Sequence, residues 1–192
     1  MKKRITLVCV LLLVLVTLAA CGDDNNKLNG KWAYVHDTET AILVLKSNGT
    51  AIYNNDKYSY TYDDSFITLK ASDGKDLKLR YEFDGADMFL YQPTVYVYDS
   101  EETPAGLPGV WKGKEVEGWE FEFTESGEFK EDGYFPGYYV DDPENSRAKL
   151  IYNDQFEDTM IYYSIEGNEL TIEYPWRMVK MSAIKKTSAS SK

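Results

Sequence analysis

Residues 77–85 read Leu-Lys-Leu-Arg-Tyr-Glu-Phe-Asp-Gly, and this short run decides the fold class. Leu77, Leu79, Tyr81 and Phe83 alternate with Lys78, Arg80 and Glu82, which gives one apolar and one wet face at a period of two. That is the pattern of a half-buried antiparallel strand, and Asp84-Gly85 then supplies a tight turn. The same signature returns in Trp119, Phe121 and Phe123 against Glu120 and Glu122, and again in Leu170, Ile172 and Tyr174 against Glu169, Thr171 and Glu173. Turn signals at Ser47-Asn48-Gly49, Asp63-Asp64, Asp73-Gly74, Ser126-Gly127 and Glu166-Gly167 are spaced closely enough to join neighbouring strands as hairpins. No stretch beyond residue 20 sustains helical spacing, and 16 tyrosines suit pleated surfaces. The expected class is all-β.

The chain also repeats itself. Leu28-Asn29-Gly30-Lys31-Trp32 matches Leu107-Pro108-Gly109-Val110-Trp111, and a turn glycine follows each, Gly49 and Gly127. Asp84 to Leu90 matches Glu166 to Ile172 in the same order. The alternation breaks over 99–106, where Pro104 and Gly106 mark a linker between a first module, 28–98, and a second, 107–184. The second carries a longer excursion from Tyr134 to Asn153, through Pro136, Gly137, Asp141, Asp142 and Pro143, so the copies need not share a strand count. A module of this size without disulfides is marginal alone, so the copies are expected to pack together; one larger sheet of all the strands is the alternative.

At the other end of the chain, Lys2, Lys3 and Arg4 precede an apolar run and two alanines, the layout of a secretory signal over residues 1–20. Ile5 to Ala20 is 16 residues, short for a membrane span. Leu18-Ala19-Ala20-Cys21 resembles the lipobox of bacterial lipoproteins, which implies cleavage before Cys21 and a lipid on its thiol. Residues 21–27 then read as a lipidated polar tether, and the protein is expected at the extracytoplasmic face of the cell membrane, held by Cys21. The tail 185–192 has no apolar content to fold around and is expected to be disordered.

The repeat opening Leu-x-Gly-x-Trp, with its glycine turn and tyrosine-rich strands, resembles the lipocalin-like β-meander modules of Gram-positive lipoproteins. The resemblance implies two tandem antiparallel up-and-down meanders curling into small lipocalin-like barrels, preceded by the signal helix.

Removal of the signal leaves 18 basic and 32 acidic side chains, a net charge of −14, which argues against nucleic acid and anionic lipid surfaces as partners. With Cys9 in the signal and Cys21 at its end, no internal disulfide is available. His36 is the only histidine, so His-based zinc sites and Ser-His-Asp or Cys-His catalysis lack partners. It reads as an exposed residue at a strand end. Asp141, Asp142, Glu144 and Asn145 gather oxygen ligands but read as a charged turn rather than a calcium loop. No catalytic, metal or cofactor residues are assigned.

What remains are aromatic faces. Trp32 and Trp111 read as residues that close a core. Tyr58, Tyr60 and Tyr62 share one strand face, as do Trp119, Phe121 and Phe123, and such stripes serve either a core edge or a contact surface. Tyr58, Tyr60, Tyr62, Trp119 and Phe121 are therefore the candidate ligand contacts. The expected function is a binding module for a small ligand or another envelope component; the alternative is a structural or interaction lipoprotein without a pocket, with an enzyme third.

Overall fold

A computed structural model describes residues 25–153 and 156–181. The signal segment, Cys21 and the 185–192 tail lie outside the described residues. One helical turn, α1 (Asn25–Leu28), takes up the end of the expected tether. The rest is strand: β1 (Gly30–Tyr34), β2 (Leu43–Leu45), β3 (Thr50–Tyr53), β4 (Asp56–Tyr62), β5 (Phe66–Lys70), β6 (Leu77–Asp84) and β7 (Asp87–Tyr98), then β8 (Gly109–Gly113), β9 (Glu120–Phe123), β10 (Glu128–Glu131), β11 (Phe135–Asp142), β12 (Arg147–Tyr152), β13 (Thr159–Glu166) and β14 (Glu169–Lys180). The protein is all-β. Each turn signal quoted above falls at the junction of two successive strands.

Each strand pairs antiparallel with its successor, and β1 returns to β14, so one sheet forms a ring of 14 strands. The ring is pinched. β7 and β14 also pair with each other in an unbroken register from Met88–Met178 to Val97–Glu169. Each of these long strands changes its outer neighbour halfway: residues 87–91 of β7 pair with β6 and residues 96–98 with β8, while 169–173 of β14 pair with β13 and 178–180 with β1. The seam thereby divides the ring into two circuits. β1–β6 close through the first part of β7 and the last part of β14, and β8–β13 close through the other two parts.

Each circuit encloses its own apolar cluster. The first is built on Trp32, Leu43, Leu69, Leu79 and Leu90, and receives Met178 from β14. The second is built on Trp111, Phe121, Phe123, Leu150 and Ile172, and receives Tyr96 from β7. Both tryptophans are fully buried, and each indole N–H donates to the carbonyl four residues earlier, Leu28 or Leu107, at 2.7 Å. A buried indole needs such a partner, and the leucine of each Leu-x-Gly-x-Trp opening provides it.

Other landmarks recur seven strands apart. The Gly49 amide donates to Lys46 and the Gly127 amide to Thr124, with φ of 79° and 84° in turns where a side chain would be strained. The amides of Tyr60 and Tyr139 donate to those two glycines, and the tyrosine hydroxyls reach back to the carbonyls of Lys46 and Thr124.

The excursion from Tyr134 to Asn153 stays within the sheet. It forms a regular hairpin of β11 and β12, turned by a 3-10 segment at Pro143–Asn145. Pro136 sits at the start of β11 opposite Lys130, where a missing N–H is tolerated, and Gly137 lies between Phe129 and the Ile151 carbonyl, where no side chain fits. The oxygen cluster here is self-satisfied: Asn145 and Arg147 both donate to Asp142, and these bonds hold its carboxyl below the usual range.

Candidate functional site

The first circuit carries a concave surface that Tyr162 of the second circuit also borders. β6 points Tyr81 and Phe83 inward and Arg80 and Glu82 outward, as its alternation requires. The pairing that runs from β6 across β7 and β14 to β13 brings the outward Arg80 against Tyr162 of the other circuit, with the guanidinium 3.6 Å from the ring centroid. Arg80 also covers Phe66 at 4.6 Å, and its Nε donates to Glu173 Oε2 at 3.0 Å. Tyr162 packs edge-on against Tyr91, and its hydroxyl points at Glu82 at 3.4 Å. Burial, then the Glu82 charge, pushes the Tyr91 phenol above its ordinary pKa, so it stays neutral.

This arrangement borders a cleft of about 590 Å³, lined among others by Lys27, Tyr62, Arg80, Glu82, Phe83 and Tyr162. Lys27, in α1, lies 4.0 Å over the Phe83 ring. The volume is that of an ordinary small-molecule site. Its walls offer aromatic faces, two cations held on rings and two carboxylates, Asp64 and Glu82, a set that can orient a ligand by stacking and by charge. Among the described residues no group of three or more His, Cys, Asp or Glu side chains is placed to hold a metal ion.

A second polar feature lies on the inner side of the seam. Tyr152 donates to Glu131 Oε2 at 2.5 Å and is 3.1 Å from the hydroxyl of Tyr174. Burial raises the Glu131 carboxyl above its usual range, the Tyr152 bond opposing this in part, and Tyr152 itself is pushed far up by burial and then by the Glu131 charge. From Tyr174 the rings continue through Trp176 (6.0 Å) to Tyr34 (5.4 Å) and His36, which stacks flat on Tyr34. His36 is indeed exposed, just beyond β1.

Of the candidate contacts, only Tyr62 reaches the cleft. Tyr60 and Phe121 belong to the two cores, 9% and 2% exposed, and the Tyr60 hydroxyl is 3.0 Å from Asn29 Oδ1. Tyr58 is half-buried against the first core and borders a groove on the outside of that circuit. Trp119 precedes β9, in the loop from β8, 39% exposed and beside a smaller cavity of about 360 Å³. Sequence reasoning missed Lys27, Arg80 and Tyr162. Alternation could place Arg80 and Glu82 outward, but nothing local announces that the seam sets Tyr162 against them.

No family model, curated protein or solved structure matches this chain.

Proposed function

We propose that this protein is a membrane-anchored extracytoplasmic lipoprotein that binds a small ligand in a cleft of its first circuit that Tyr162 of the second borders, and that the circuits are tandem copies of a seven-stranded lipocalin-like meander, each completed by the other's last strand. The cleft carries the reading: about 590 Å³ walled by Tyr62, Phe83 and Tyr162, with Lys27, Arg80 and Glu82 supplying charge. The matched indole and glycine-turn bonds support the duplication. The lining also takes in Leu28 and Tyr81 of the first apolar cluster, so the ligand is held against that core with Tyr162 of the other circuit at the rim.

The tether fits this place. Lys27 borders the cleft six residues after Cys21, so a lipid on Cys21 holds the cleft within about 20 Å of the bilayer, the reach of six extended residues. Full-length protein extracted in mild detergent and weighed by native mass spectrometry is expected to carry a copurified ligand that Tyr162→Ala removes without loss of fold. Bare protein at every mild condition contradicts ligand binding. Separately, Cys21→Ala is expected to free the chain from membranes or leave it unprocessed, and a variant that stays membrane-bound at mature mass contradicts the anchor.

The second reading, an interaction lipoprotein, is favoured by exposed apolar side chains on and beside β11: Tyr134, Phe135, Tyr138, Val140 and Phe156 are 40–82% exposed. Under that reading no ligand copurifies and substitutions on β11, rather than at Tyr162, disrupt association.

A further inference from the structure

The outer face of β3, β4 and β5 carries a groove of about 590 Å³ whose charge runs against that of the whole molecule. Three lysines border it: Lys46 after β2, Lys57 on β4 and Lys70 at the end of β5. The ladder orders them. Thr50 lies opposite Ser59 and Ser59 opposite Lys70, while the Lys46 amide bonds the Thr50 carbonyl, so two hydroxyl side chains separate two ammonium groups along one row. Lys57 stands two residues from Ser59 on the same exposed face. Neither Lys46 nor Lys57 has an ion-pair partner among the described residues, and the Ser59 hydroxyl has no hydrogen bond there; Lys70 makes one solvent-screened pair, with Asp76 at 3.2 Å.

The other half of the ring provides the comparison. The turn and tyrosine bonds that match Lys46 to Thr124 and Tyr60 to Tyr139 put Pro136 at the place of Lys57, and the amide bonds of Tyr81 to Ser65 and of Tyr163 to Ser146 put Ile151 at the place of Lys70. Glu128 replaces Thr50. One backbone framework thus presents three lysines and two hydroxyls on one side of the molecule, and none of those lysines on the other. The lysines are not needed to build the strands.

We propose that this groove is a binding site for a compact phosphate-bearing ligand, separate from the cleft and independent of its reading. The ammonium groups of Lys46, Lys57 and Lys70 with the Ser59 hydroxyl suit the several acceptor oxygens and double charge of a phosphate group, while the Thr50 hydroxyl beside them already donates to Asn48 Oδ1 at 2.7 Å. The negative charge of the body excludes long polyanions, so the site takes a single small group, either a soluble phosphate ester or the headgroup of a phospholipid.

The test is calorimetric titration of the full chain in neutral detergent micelles, with sn-glycerol 3-phosphate in one arm and micelles doped with phosphatidylglycerol in the other. Saturable binding is expected, weakening as salt is raised and falling by at least about tenfold in the Lys46→Gln/Lys57→Gln double variant, whose thermal midpoint should match the parent. Binding of the soluble ester identifies a free metabolite as the source; binding in the doped micelles alone identifies a headgroup. No saturable binding of either probe below about 10 mM, or binding that the double variant leaves unchanged, overturns the proposal.

Discussion

Gly30 and Gly109 hold the same place in the two circuits, with φ of 143° and 135°, yet a methyl group would meet different neighbours. At Gly30 it would touch the flexible end of Lys180 at 3.4 Å; at Gly109 it would lie 2.1 Å from the Tyr98 ring, which packs at a tilt against Trp111. Gly30→Ala is expected to cost about 1–2 kcal/mol from backbone strain alone, and Gly109→Ala roughly 3 kcal/mol or more once the ring must move, as urea midpoints would show. Glu131 supplies a pH test. Its carboxyl is raised above 4.5, so the folded state holds the proton more tightly than the unfolded one, and the stability it lends at low pH is lost as pH rises through the folded value. Glu131→Gln keeps an acceptor for Tyr152 but cannot ionise. Its thermal midpoint should exceed that of the parent by about 2–4 °C at pH 7, the gap closing on acidification below 4.5.

Among the strands, β7 and β14 are set apart by length, 12 residues each, and by pairing with three other strands where the rest pair with two. Their amides should be the slowest to exchange with deuterium, and the 114–119 loop among the fastest; faster exchange in the seam than in β3 or β10 would contradict its central place. Most strands could be read beforehand, because Leu77 to Phe83, Phe121 to Phe123 and Leu170 to Tyr174 alternate cleanly and glycine turns punctuate them. The seam could not. Gln92 meets Tyr174 through pairing between distant parts of the chain, and alternation assigns a residue to a face without saying what will cover that face. For that reason Tyr60 and Tyr62, on one face of one strand, ended in different places, one in the core and one at the cleft. Trp119 was read onto a strand that begins one residue later.

At the scale of the whole molecule, the seam ties both clusters to the same two strands, so unfolding of either circuit disturbs strands on which the other is built. Calorimetry of the full chain is expected to show one transition whose calorimetric and van't Hoff enthalpies agree, and two resolved transitions would contradict that coupling. The exchange of Met178 and Tyr96 between circuits also sets a timetable. As the chain is synthesised from its N-terminus, β1 to β6 are complete long before residues 174–180 exist, and the first circuit must wait, unclosed, for the last strand of the second. Closure of the first circuit is thereby postponed until almost the whole chain is made.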